Sequence, residues 1–207
     1  MFKKMISVML TAFLLGGLAG CAGNKKADPT QFNDLFASVI SAEEALRRSK
    51  ETGAVVIEGL ECTAGENVWS DFYKTVSKGE PASILVAQYY TLDPTRVSAE
   101  LYEQEKDEYP KLFFYNLTYD GETYTVTVRE STEKTSEQCE SYQYLLHLTG
   151  NYPPQAVYAS YDYYVLADDP DATWEEIEVG MVSSQLGAGV RHCAVFQNSF
   201  EKREGQS

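Results

Sequence analysis

The dipeptide Asp120-Gly121 lies between two runs rich in β-forming residues, Leu112 to Thr118 and Thr123 to Val128. It is the strongest short hairpin signal a sequence can carry. With those two residues as the loop, Phe113 pairs with Val128, Tyr115 with Val126 and Leu117 with Tyr124 on one face. On the other face Phe114 pairs with Thr127, Asn116 with Thr125 and Thr118 with Thr123. One face is apolar and the other mostly polar, so turn chemistry and hydrophobic pattern select the same alignment. A slip of one residue would bury the threonines.

The remaining pattern alternates before this hairpin and turns to strands after it. Ser41-Ala42-Glu43-Glu44 reads as a capping box opening a helix that ends at Gly53. A β-branched strand is predicted over Ala54 to Leu60, then a helix with Val68, Trp69, Phe72, Tyr73 and Val76 on one face, ended by Gly79. Ser83 to Thr91 reads as a strand. Asp93-Pro94 reads as the start of a helix that turns Val97, Leu101 and Tyr102 inward and stops before Pro110. Beyond a charged break at Glu130 to Glu137, strands are predicted over Ser141 to Thr149 and Ala156 to Leu166. Thr173 to Glu176 is a second capping box, opening a helix with Trp174, Ile177 and Met181, and Gly187 and Gly189 mark a turn. Val190 to Phe196 adds a strand, and the polar end from Gln197 is expected to fray. This order predicts an α+β fold, an antiparallel meander sheet with helices packed on one face.

The first residues carry an address. Lys3 and Lys4 precede an uncharged run from Met5 to Gly20 containing Ile6, Val8, Leu10, Phe13, Leu14, Leu15 and Leu18, a basic region followed by an apolar one. The run is short for a membrane span, which needs about 20 predominantly apolar residues, and polar Asn24, Lys25 and Lys26 follow it. It is therefore read as a cleaved signal. Leu18-Ala19-Gly20-Cys21 resembles the lipobox of bacterial lipoproteins, and the likeness covers only the first twenty-one residues. The resemblance implies lipidation of Cys21 and cleavage before it, so that Cys21 becomes the first residue of the mature chain and carries its acyl chains. Each buried methylene contributes roughly 0.8 kcal/mol, so durable anchoring takes two or three chains. The rest of the chain is similar in tone to uncharacterised small lipoproteins of Gram-positive bacteria, a likeness that carries over no functional residue.

On this reading residues 1–20 are the signal peptide and residues 21–40 the lipidated cysteine and a tether rich in Gly, Asn, Lys and Asp. Phe32, Leu35, Phe36, Val39 and Ile40 fall at helical spacing late in that tether. Residues 41–196 form one α+β domain and residues 197–207 a frayed tail. Loss of Lys3 and Lys4 takes the 17 basic residues to 15 against 31 acidic ones, a formal −16. Such a surface repels phosphate backbones and anionic headgroups, which disfavours nucleic acid and leaves the lipid as the contact with the membrane.

With Cys21 lipidated, Cys62, Cys139 and Cys193 remain, enough for at most one disulfide among three pairings. Any histidine chemistry must use His147 or His192, and Cys193 next to His192 points to the opposite side of a strand. No metal-ligand spacing, phosphate loop, nucleophile elbow or dinucleotide fingerprint is present, so neither cofactor nor metal is predicted. Asp168, Asp169 and Asp171 read as the lead into the following helix.

Tyrosine stands out, with fifteen copies. Tyr142 and Tyr144 fall on one predicted strand and Tyr158, Tyr161, Tyr163 and Tyr164 on another. Tyr158 and Tyr164 share a face with Ser160 and Asp162, which is taken as the wet one. Tyr158, Tyr164, Tyr142 and Tyr144 are accordingly the candidate ligand-binding residues, suited to stacking on a carbohydrate or gripping a partner protein. The expected function is a membrane-anchored extracytoplasmic lipoprotein with a noncatalytic binding domain. A small cell-surface hydrolase using carboxylates or a Cys/His pair is the alternative.

Overall fold

The computed structural model describes residues 29–135, 138–182 and 189–202. The signal segment, Cys21, residues 22–28 and Gly187 lie outside them. The helices are α1 (Pro29–Ala37), α2 (Ala42–Thr52), α3 (Glu66–Val76), α4 (Ala99–Glu105) and α5 (Trp174–Val182). The strands are β1 (Val55–Glu58), β2 (Glu61–Ala64), β3 (Ala82–Tyr90), β4 (Lys111–Tyr119), β5 (Tyr124–Glu130), β6 (Gln138–Tyr142), β7 (Tyr144–Asn151), β8 (Tyr158–Ala167) and β9 (His192–Glu201). The fold is α+β. A six-stranded sheet has the order β2-β1-β3-β4-β5-β6 and a three-stranded sheet the order β7-β8-β9. β3 to β6 form the antiparallel meander. β1 joins it in parallel with β3, through a crossover that contains α3.

The two sheets face each other across the main core. Val55, Ile57, Ile84, Val86, Leu117 and Val126 of the larger sheet meet Tyr164, Leu166, Val195 and Phe196 of the smaller, and α3 adds Trp69, Phe72 and Val76. The Trp69 ring stacks on Phe196 at 4.7 Å between centroids and meets Tyr164 edge-on at 5.1 Å. Helices cover both outer faces. α1 and α2 pack Phe32, Leu35, Ala42 and Ala45 onto Val56, Leu85, Leu112 and Phe114, and α5 sets Ile177 against Tyr163 and Val165.

Helices thus pack on both sides of the larger sheet. The β4 face expected to be mostly polar buries Leu112 and Phe114 completely, because these alternate with the inward Leu117 set and α1 and α2 supply their cover. The β4–β5 register differs by two residues from the expected one. Tyr119 pairs with Tyr124, Leu117 with Val126 and Tyr115 with Val128. The loop is four residues long because the Asp120 carboxylate accepts N–H bonds from Glu122 and Thr123, each at 2.8 Å, and Tyr119 stacks on Tyr124 at 4.4 Å. A two-residue shift leaves each side chain on its own face, so Leu117, Tyr124 and Val126 still point into the core.

Other boundaries moved for local reasons. Asp93 does not cap a helix, because its carboxylate binds the N–H and hydroxyl of Thr95 in a turn. Ser98 caps α4 instead, accepting from Leu101 N–H at 3.2 Å, and no α4 residue is buried. At Ser41 the expected box is half formed: its hydroxyl accepts from Glu44 N–H, while the Glu44 carboxylate binds Arg47. At Thr173 both halves close through Glu176. β9 continues past Phe196 to Glu201 paired with β8, with one register shift between Tyr158 and Ser160, so the polar run from Gln197 is held by backbone pairing there. The late part of the expected tether is docked as α1. Arg129, 2 % exposed, donates to the carbonyls of Phe36 and Ser38 at the end of α1 and to Glu130 and Glu133. Its guanidinium lies over the Phe36 and Phe114 rings at 5.3 and 5.6 Å.

Candidate functional site

The four candidate tyrosines do not come together. The predicted strand holding Tyr142 and Tyr144 breaks at Gln143, where the chain passes from the six-stranded sheet to the three-stranded one. Tyr142 is 2 % exposed and donates its hydroxyl to Glu140, with the Arg191 guanidinium 4.3 Å over its ring. Arg191 also reaches Asp168 at 2.6 Å and the Ser141 carbonyl at 3.0 Å, clasping the two sheets. Tyr164 is 8 % exposed, inside the main core. The face taken as wet is therefore dry at Tyr164, because it meets the other sheet. Tyr144 and Tyr158 remain accessible, but Tyr144 stands opposite Ala167 and Tyr158 opposite Glu201, at the two ends of β8.

The thiols are three free cysteines among the described residues. Burial pushes Cys193 up to about 12, with Glu140 adding to the effect. Burial likewise takes Cys62 to about 11, helped by Glu66. A thiol held uncharged is a poor nucleophile. No hydrogen bond joins either histidine to a thiol among the described residues: the His147 Nε2 atom lies 2.7 Å from the Asp162 carboxylate, and His192 Nδ1 lies 2.7 Å from the Val190 carbonyl. The His147 ring stacks on Tyr164 at 4.2 Å. No group of three or more His, Cys, Asp or Glu among the described residues is placed to hold a metal ion.

What the structure does assemble is a groove of about 780 Å³. Its lining includes Asn151 from β7, Ser160 from β8, and Asn198, Phe200 and Glu201 from β9, with Glu61 and Cys62 of β2 beside them. The geometry follows from register. Ser160 is paired with both Asn151 and Phe200, and Asp162 with both Thr149 and Asn198, and directly opposed residues share a face of the sheet. That is the face whose other half, at Tyr164 and Leu166, is sealed by the main core. β2 is fixed beside β9 by the Ser199 N–H to Leu60 carbonyl bond at 2.7 Å and the Cys62 N–H to Asn198 Oδ1 bond at 3.1 Å. The His147–Asp162 pair stands on the same face, Asp162 being directly opposite Asn198.

The groove offers hydroxyl and amide groups, two carboxylates and one large apolar ring, Phe200, 45 % exposed. Glu61 and Glu201 form no ion pair among the described residues. Sequence reading did not single out these residues. The predicted strand stops at Leu60, short of β2, and Asn198 to Glu201 fall in the end expected to fray. The pairing of β7, β8 and β9, with β2 of the other sheet held beside β9, brings them together. No family model, curated protein or solved structure matches this chain.

Proposed function

We propose that this chain is a bacterial lipoprotein, anchored through acyl chains on Cys21 to the extracytoplasmic face of the cell membrane, whose domain binds a ligand or partner without transforming it. The groove over Asn151, Ser160 and Asn198 is the binding site. One observation carries the binding reading: a groove of about 780 Å³ is lined by hydrogen-bonding groups and Phe200, while the thiol that borders it is kept uncharged by burial. Convergent polar groups with an apolar platform are the general form of a ligand site. The anchor rests on the lipobox residues.

Two experiments separate the parts. Cys21→Ser should leave the protein unprocessed or released into the medium, and a processed product that stays in the membrane would sink the anchor. Ser160→Trp should fill the groove and abolish ligand binding while the chain stays folded by circular dichroism.

A hydrolase is the second reading, favoured by the two carboxylates in one groove, as glycoside cleavage uses such a pair. Its weakness is setting: Glu201 is exposed and Glu61 half-exposed, whereas a catalytic acid of this kind needs a desolvated position.

A further inference from the structure

We infer that the groove takes a saccharide bearing protonated amino groups, an inference that rests on the groove being the binding site. The lining has the chemistry of sugar recognition. Asn151, Ser160 and Asn198 carry planar amides and a hydroxyl able to meet ring hydroxyls. Asn198 has its oxygen engaged by Cys62 N–H, which fixes the side chain before any ligand arrives. Phe200 presents nearly half its surface beside these groups and can pack against the C–H face of a sugar ring.

The charge then chooses among sugars. Glu61 and Glu201 both line the groove, and no Lys or Arg among the described residues pairs with either. Two carboxylates with no cationic partner among the described residues repel an anionic saccharide and strengthen bonds to an ammonium group, because charge-assisted hydrogen bonds are about twice as strong as neutral ones. The whole chain carries a formal −14, which raises the local concentration of a cationic ligand in the same direction.

The test uses the full chain and two probes of equal length at about pH 6, where sugar amines carry their protons: an oligomer of glucosamine and its fully N-acetylated counterpart. Calorimetry should give the deacetylated oligomer an affinity about tenfold higher, equivalent to about 1.4 kcal/mol. Glu61→Gln with Glu201→Gln should erase that preference, bringing the two oligomers to equal affinity. The control pair Glu100→Gln with Glu122→Gln, on exposed positions elsewhere, should not change it. Equal affinity for the two oligomers overturns the charge inference and leaves the groove as a saccharide site. A preference that survives Glu61→Gln with Glu201→Gln shows general attraction to an acidic surface and overturns the inference as well. Binding that survives Ser160→Trp overturns both this inference and the groove reading.

Discussion

The imidazole of His147 lies 2.7 Å from the carboxylate of Asp162. The pair is about one-third exposed on both sides, so it adds little to stability, on the order of 0.2–1 kcal/mol. Its importance is chemical. A carboxylate can orient an imidazole for base work, but no hydrogen bond joins this ring, stacked on Tyr164, to a thiol among the described residues, where Cys62 meets the Ala64 carbonyl and Cys139 the Thr127 hydroxyl.

Gly65 holds the entry to α3. Its φ is +76°, and a Cβ there would lie 2.5 Å from the Ala54 carbonyl oxygen and 2.8 Å from Val55 Cα. Gly65→Ala is therefore expected to cost about 2–4 kcal/mol in urea unfolding, combining positive-φ strain with a backbone clash. Gly53→Ala shares the positive φ but meets nothing within 4 Å, and should cost only about 1 kcal/mol. Equal losses would show that the close approach at Gly65 is unimportant.

Arg129 ties α1 to the domain through backbone carbonyls, and burial lowers its guanidinium below the usual range. Arg129→Met keeps the packing against Phe36 and Phe114 but strands those carbonyls. The expected loss is about 2–4 kcal/mol, with faster proteolysis between Ala37 and Ser41. Unchanged proteolysis there would place the hold on α1 in Phe32 and Leu35 alone.

Alkali should weaken the fold. Burial raises Cys193 from 9.0 to about 12, Cys62 from 9.0 to about 11, and Tyr124 and Tyr164 from 10.0 to about 12. Groups whose folded values are raised contribute stability that is complete below the unfolded values and is lost as pH rises through the folded ones. Urea midpoints should hold up to about pH 8.5 and fall steadily between about pH 9 and 12. At about pH 8 iodoacetamide should label exposed Cys139 well ahead of Cys193. Rapid labelling of Cys193 in the folded chain would contradict its burial.

Local features of the fold were legible because their causes are local. The Asp120 turn, the Ser41 and Thr173 caps and the Trp69 stripe each declare themselves within a few residues. The sheet partners were not. Tyr142 and Tyr144 look like one strand because nothing in the period-two pattern marks the passage between sheets at Gln143. Tyr164 looks wet beside Ser160 and Asp162 because tyrosine suits either side of a sheet, and its cover, Trp69, comes from a distant helix. The groove was illegible for the same reason: Asn151, Ser160 and Asn198 become neighbours through strand pairing, and Glu61 joins them where the two sheets meet.

Binding without catalysis at the groove can be measured in one assay. The direct measurement offers the purified full chain a panel of oligosaccharides and peptides, reading affinity by calorimetry and integrity of each compound by mass spectrometry after prolonged incubation. The expected result is saturable binding of at least one compound, weakened about tenfold or more by Asn198→Ala, with the compound recovered intact. Cleavage that disappears in Glu61→Gln or Glu201→Gln would contradict it and establish the hydrolase instead.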